Sequence, residues 1–442
     1  MQTAPAVATE LESTDSAPRW NPSTRVAFRF CFVYFGLYVL VTQMLSGLLL
    51  LPVIDVPEIG ALWPLRPIIT WTAFHVFRHK EALVITGSGS GDKTFDWVET
   101  FCLLVIAIVA VAIWPYFDRN RPHYAALYKW FRLFLRFALG TTMFSYGFIK
   151  MIPVQMPFPF LSRLIEPFGN FSPMGVLWAS VGASPGYEIF AGCMETLGGV
   201  LVLIPRTATL GALICLADMA QVFVLNMTYD VPVKLFSFQL ILISLFLLAP
   251  AASRLVDFFL LNRPVSPLKQ FPLFHTRRAN RIALFAQLAV VAYQIVLSIY
   301  QDKQSWKEYS GGAPKSELYG IWNVNELTVD GQPRPPLVTD TSRWRRLVFQ
   351  FPQAAAAQTM DDKFQSYAAT IDKDHGALTL TDTKTKDLAA KLSFQRPTPN
   401  QLVLDGILGG HTAHMNLQLV DHQKFLLLNR GFRWVQEYPF NR

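Results

Sequence analysis

Eight ionisable or amide side chains fall where the chain is otherwise most apolar, and they are unevenly placed. Lys150 ends one apolar run. Glu188 and Glu195 lie seven residues apart on the next, and so on one face of a helix. Asp218, Gln221 and Asn226 run along a third, and Asp230 and Lys234 open a fourth. Charge is costly in lipid, so such groups face a bundle interior, a cavity or a partner. Carboxylates held this way can pass protons, with Glu195 and Asp218 as the proton-handling pair. Lys150, Glu188, Gln221, Asn226, Asp230 and Lys234 would then bind a polar headgroup or redox carrier beside them. The same residues would equally fix helix register as structural pairs, with Lys150 and Lys234 set against Glu188, Glu195 or Asp218. Gly192, Gly198 and Gly199 flank Glu195, and small residues let helices approach closely in lipid.

Other motifs carry less. The run Gly87-Ser-Gly-Ser-Gly-Asp-Lys93-Thr94 resembles a phosphate loop but has Asp92 where the glycine before the lysine is required, and no strand precedes it. It reads as an outer loop, with Thr94 or Asp96 capping the helix that follows. His75 and His79 have helical metal-ligand spacing but no third ligand nearby, and no metal site is expected. Cys31, Cys102, Cys193 and Cys215 all lie in apolar runs without a CxxC pattern. Cys102 and Cys193 sit at similar depth and would pair only if their helices touch.

The elements that position these residues follow from hydropathy. Of 442 residues 52% are hydrophobic and only 16% charged, against about 25% charged in an average soluble domain. That excludes a disordered chain, a disulfide scaffold and an ordinary soluble enzyme. Seven runs approach the roughly 20 residues needed to cross a bilayer: Phe30 to Ile54, Trp97 to Phe117, Arg132 to Ile152, Tyr187 to Ile204, Ala208 to Thr228, Val231 to Leu248 and Ile282 to Tyr300. The third is the least apolar. The proline-rich stretch 153–186 is expected as a loop with a short helix against the bundle. With the N-terminus inside, the inner segments hold fourteen Lys and Arg and the outer loops seven, which favours a cytoplasmic N-terminus. Seven spans then place the C-terminal region in the periplasm of an inner-membrane protein. The net charge of +8 is a topology signal, so no nucleic-acid partner is expected. The polar cluster falls in the outer half of the bundle, Glu195 about 13 Å deep by helix rise. The first apolar run is too long for a signal-peptide core and reads as an uncleaved span.

The reading therefore divides the chain into a polar tail (1–27), a helical membrane domain (28–300), a linker (301–317) and an all-β antiparallel barrel (318–442). In the last part, eight short alternating runs recur near every ten residues: Gly320 to Val329, Trp344 to Phe351, Lys363 to Ile371, Ala377 to Thr381, Leu388 to Phe394, Leu402 to Leu408, His411 to Val420 and Phe425 to Val435. Asp330-Gly331 marks a tight turn. Gly320-Ile-Trp322 at the start and Arg430 near the end resemble a lipocalin-like barrel, in which the late arginine would stack on the indole. A barrel of eight strands holds either a packed core or one small hydrophobic ligand.

Five stretches carry a second resemblance: Arg136-Phe-Ala-Leu-Gly140, Tyr146-Gly-Phe-Ile-Lys150, Glu195-Thr-Leu-Gly198-Gly199, Arg206-Thr-Ala-Thr-Leu-Gly211 and Asn226-Met-Thr-Tyr-Asp230-Val-Pro232-Val-Lys234. They are similar to the DoxX-like family of membrane proteins over about residues 126–262. The resemblance implies a four-helix membrane unit and, since some members are associated with quinone-linked sulfur oxidation or membrane oxidoreductase complexes, a quinone and redox partner subunits. It supplies no catalytic residue set. The other expectation is a non-enzymatic scaffold, or a carrier of a lipid-like molecule.

Overall fold

The structure, a computed structural model, describes residues 19–52, 56–119, 121–266 and 272–441. Thirteen helices and nine strands are found among them. The helices are α1 (Pro22–Val41), α2 (Met44–Leu48), α3 (Leu65–His75), α4 (Thr94–Phe117), α5 (Ala125–Met151), α6 (Leu161–Ile165), α7 (Pro173–Gly182), α8 (Pro185–Leu203), α9 (Ala208–Thr228), α10 (Lys234–Leu248), α11 (Ala252–Phe259), α12 (Arg277–Tyr309) and α13 (Leu426–Asn429). The strands are β1 (Gly320–Val329), β2 (Gln332–Pro333), β3 (Trp344–Phe351), β4 (Ala354–Thr359), β5 (Phe364–Asp372), β6 (Ala377–Asp382), β7 (Leu388–Thr398), β8 (Gln401–Leu408) and β9 (His411–Leu419). They form two compact units. One holds the described residues up to Ile152 together with Ile189–Asp302, the other Pro153–Glu188 together with Lys303 onward.

In the helical unit, local chemistry sets the helix ends. Asn21 caps α1 by accepting from the Thr24 N–H at 2.7 Å, with Pro22 at the first position. At α4 the cap position belongs to Lys93, neither Thr94 nor Asp96. Asp96 instead reaches back to accept the Lys93 N–H at 2.9 Å. The start of α10 is capped from far away in sequence: the Asp92 carboxylate accepts the Lys234 and Leu235 N–H groups at 2.9 and 2.8 Å.

Six helical segments among the described residues are long and apolar enough to cross a membrane: α1, α4, α8, α9, α10 continued through α11, and α12. The helical unit is a membrane domain. The expected count of seven is one too many, because Arg132 to Ile152 falls on α5. That helix carries Lys129, Arg132, Arg136 and Lys150 along with Gly140, Thr141, Thr142, Ser145 and Gly147. It is polar because it is central: twelve of its 27 residues are buried, against six of 24 in α4. At its N-terminal end lies an aromatic cluster in which the Phe131 ring meets Phe28 and Phe32 edge to face and Tyr124 lies tilted against Phe28. Arg29 is buried there and donates twice to the Tyr124 hydroxyl, at 2.9 and 2.6 Å.

Glycine sets the spacing between α5 and α8. A Cβ on Gly147 would lie 2.8 Å from the Gly192 carbonyl oxygen, and one on Gly199 would lie 2.9 Å from that of Gly140. Both helices carry their contact glycines seven residues apart, so the backbones meet along two turns. On the other side of α8, a Cβ on Gly198 would touch the Cys215 sulfur of α9 at 3.0 Å. All four cysteines are free; Cys102 donates to the Thr72 hydroxyl at 3.6 Å rather than pairing with Cys193.

The second unit contains a closed antiparallel barrel. β1 and β3 to β9 follow one another in meander order, and β1 pairs with β9 from Trp322↔Leu419 to Val329↔Ala413. This is the up-and-down arrangement. Asp330 and Gly331, both at positive φ, make the tight β1–β2 turn. Inside, Trp322, Leu347, Phe349, Leu378, Leu404 and Met415 belong to one buried apolar cluster that fills the interior. Three details differ from expectation. The run Phe425 to Val435 is not a strand: it holds the short α13 and turns, and β9 already closes the barrel. The missing strand is β4, whose alanines read poorly as sheet. They are small because Ala355 and Ala357 stand opposite Phe349 and Leu347. The guanidinium over the Trp322 ring is that of Arg396, at 5.4 Å, whereas Arg430 lies over Phe440. Trp322 donates to the Leu318 carbonyl at 2.8 Å.

The proline-rich stretch folds onto this barrel. Leu161 of α6 is buried with the outward-facing Ile321 and Val348. Its N–H donates to the Gln350 side chain at 3.0 Å, and the Gln358 amide donates to the Ile165 carbonyl at 3.3 Å.

A stability prediction follows from the glycine contacts. Gly147→Ala should destabilise the helical unit by about 1–3 kcal/mol through overpacking against a backbone that cannot retreat. Gly36→Ala, whose Cβ meets only the Phe131 ring at 3.8 Å, should leave the Tm in detergent unchanged or raise it.

Candidate functional site

Where α5 and α8 come closest, Lys150 reaches Glu195. The ammonium donates to both carboxylate oxygens, at 2.6 and 2.7 Å, and both residues are buried. The same Nζ lies 5.7 Å from the centre of the Tyr146 ring, one turn earlier on α5. Asp218 of α9 is half-buried and close enough to feel the charges of Glu195 and Lys150. Its Oδ2 is shut off from solvent and has no hydrogen-bond partner among the described residues. Of the residues singled out from sequence, Lys150, Glu195 and Asp218 form one electrostatic group.

The others make contacts of their own. Glu188 is fully buried and accepts the Met156 N–H at 2.9 Å. Asn226 donates to the Ser237 hydroxyl at 3.1 Å and to the Val233 carbonyl, tying α9 to α10. Lys234 pairs with Asp230 at 2.9 Å and lies 3.7 Å from Asp92, at a partly exposed helix start. Gln221 is exposed on the outer side of α9. The expected single cluster is thus one buried group and three helix-end contacts. Position in sequence fixes depth along a helix, whereas rotation about its axis depends on packing. Arg136, on α5, donates to the Val202 and Leu203 carbonyls at 2.7 and 2.5 Å, so the otherwise open end of α8 holds a cation.

Two cavities adjoin Tyr146. The smaller, of 200 Å³, has Leu50, Leu51, Val56 and Phe236 as apolar wall and Gln43, Ser46, Thr142, Ser145 and Tyr146 as polar wall. The larger, of 330 Å³, lies beneath the Gly87–Gly91 loop, and three carboxylates line it: Glu58, Asp96 and Glu99. Lys93 is committed to Asp96, at 3.0 Å, and to the Ser90 carbonyl, at 2.9 Å. Burial pushes the Glu58 carboxyl above its usual range; Lys93 pulls it down and Asp96 adds to the rise. Glu99 is 4% exposed, and its Oε1 has no hydrogen-bond partner among the described residues. Gly60 packs on this carboxyl so closely that a Cβ there would overlap it. The sequence reading missed this chamber, although Glu99 stands inside the run Trp97 to Phe117 and carried the same signal as Glu195. Gly91 donates to the Pro232 carbonyl at 2.8 Å, and Asp92 caps α10, so the loop is laced to that helix.

Over 127 residues the chain is 34% identical to the uncharacterized protein YwoB of Bacillus subtilis, an alignment covering 27% of this chain and 72% of that protein. The chain belongs to the YwoB family. No family profile matches it, and no solved structure matches it.

The buried pair gives a direct test. Glu195→Leu alone strands the Lys150 ammonium and should cost about 3–5 kcal/mol, whereas the double variant Lys150→Met/Glu195→Leu should recover most of that loss. Thermal unfolding of the purified protein in detergent, read as a double-mutant cycle, measures it.

Proposed function

We propose that the chain is a DoxX-like inner-membrane subunit of a quinone-linked redox system. The observation that carries this reading is Tyr146. Its ring lines the amphipathic 200 Å³ cavity on one side and lies over the buried Lys150–Glu195 pair on the other. A quinone head has apolar faces and two carbonyl oxygens. Leu50, Leu51 and Phe236 suit the faces, and the Tyr146 hydroxyl, Thr142 and Gln43 supply donors. Glu195 and Asp218 are the proton-handling groups, Asp218 having the open oxygen. The two electrons pass to or from a partner redox subunit.

The topology belongs to the same proposal. Counting the polar α5, about 40 Å long by helix rise, as a crossing beside the six apolar spans gives seven. A cytoplasmic N-terminus, favoured by the Lys and Arg bias, then puts the barrel in the periplasm and the polar cluster in the outer half of the bundle. A scaffold is the second reading, and the full satisfaction of Lys150 by both Glu195 oxygens favours it. A lipid carrier built on the barrel draws no support from the filled interior.

Two measurements test the proposal. Protein purified in mild detergent and extracted with organic solvent should yield quinone at near-stoichiometric amounts. Tyr146→Phe and the double variant Glu195→Gln/Asp218→Asn should lose turnover with a quinol analogue; absence of quinone together with unaffected double-variant function would leave the scaffold. A reporter active only in the cytoplasm, fused after Arg442, should give no signal, and a strong signal would overturn the seven-crossing topology.

A further inference from the structure

The 330 Å³ chamber beneath the Gly87–Gly91 loop shares Gln43, Tyr146 and Phe236 with the smaller cavity, but its carboxylates play no part in the quinone reading. Its charge is unbalanced. Glu58, Asp96 and Glu99 line it, and the ammonium that also lines it, Lys93, is held by Asp96 and Ser90. Glu99 is the sharpest feature. The residue is 4% exposed, its Oε1 makes no hydrogen bond to any described residue, and Gly60 packs directly against the carboxyl. A buried carboxylate without a partner is costly, and here it borders a cavity large enough to hold one.

The chamber's walls narrow what that partner is. Among the described residues no three His, Cys, Asp or Glu side chains gather closely enough to hold a metal ion, so the negative charge is spread over the lining. At 330 Å³ the space far exceeds a bare ion and is at the lower end of small-molecule sites. Tyr38, Tyr146 and Phe236 add aromatic surface, and the Tyr146 ring already carries one ammonium, that of Lys150. Spread carboxylates with aromatic walls favour a charge carried on carbon and nitrogen. An anion would face the surplus carboxylates.

We propose that this chamber binds a small organic ammonium ion, its charge against Glu99 and Glu58 and its carbon skeleton against Tyr38, Tyr146 and Phe236. The loop supplies further acceptors through Ser88 and Ser90, and its attachment to α10 by Asp92 keeps that wall in place.

The test uses the full chain in non-ionic detergent at constant ionic strength, titrated with putrescine and with choline. Their neutral counterparts, 1,4-butanediol and 3,3-dimethylbutan-1-ol, serve as controls, and binding is read by calorimetry and by the shift in Tm. At least one ammonium should bind saturably and raise the Tm, and the neutral analogues should not. Glu99→Gln should weaken that binding at least tenfold, and Glu58→Gln, on a loop and half-buried, should weaken it less. Glu99→Gln should itself fold as the parent does, since the amide has the shape of the carboxyl; Glu58→Gln carries the test if it does not. No response to either ammonium, an equal response to the neutral analogues, saturable binding of magnesium or calcium chloride instead, or unchanged affinity in both variants would overturn the proposal. The quinone content of the same preparations is measured in parallel, so failure here and failure of the quinone reading are told apart.

Discussion

Two helix backbones in van der Waals contact make the rest of the membrane unit possible. Gly140 and Gly147 on α5 meet Gly199 and Gly192 on α8, and only at that separation does the short Glu195 side chain receive Lys150 with both oxygens. Hydrophobic attraction cannot hold helices together in lipid, which is as apolar as leucine, so close packing and the buried ion pair do the holding. The same geometry explains why α5 is polar: its buried face carries Gly140, Thr141, Thr142, Gly147 and Lys150. Two of its four basic residues are spent on α8: Arg136 on its terminal carbonyls and Lys150 on its carboxylate.

Much of the fold was legible because the bilayer imposes a length and the barrel imposes a period. The apolar runs at α1, α4, α8, α9, α10 and α12 announced themselves, as did seven of the eight barrel strands. The misses have physical causes. α5 was counted among the apolar spans because a run of mixed residues between charges looks like a weak one. β4 hid because four alanines carry little sheet signal by themselves; their size makes sense only opposite Phe349 and Leu347. The Phe425 to Val435 run has apolar residues enough for a strand, yet β9 had already met β1 and left no edge to join. The partner of Trp322 was placed on the wrong arginine for the same reason.

The candidate site was less legible. Lys150 and Glu195 could be named from sequence because ionisable groups in apolar helices are rare, and their pairing was among the possibilities. Which of the others join them depends on rotation about the helix axis, and only packing determines that. Gln221 turned outward, and Asn226 turned to Ser237. The chamber below the glycine-serine loop needs residues from α1, the 56–60 stretch, α4, α5 and α10 at once, and no local pattern encodes such a meeting. Asp92 illustrates the point. In sequence it spoiled a nucleotide motif, whereas in space it is the cap of a helix 142 residues later.

The helical segment laid on the barrel has a consequence for how the protein is made. Leu161 and its hydrogen-bond partner Gln350 are 189 residues apart. At roughly 5–20 residues per second of synthesis, α6 leaves the ribosome about 10 to 40 s before the strand it rests on exists. For that interval Phe160, Leu161 and Ile165 have no apolar surface of their own unit to cover them, while four further helices are still being threaded into the bilayer. The reverse holds for the finished barrel: cut away from residues 153–188, it would carry Ile321 and Val348 bare on its outer wall. The order of translation therefore leaves each half of this contact waiting as a sticky surface.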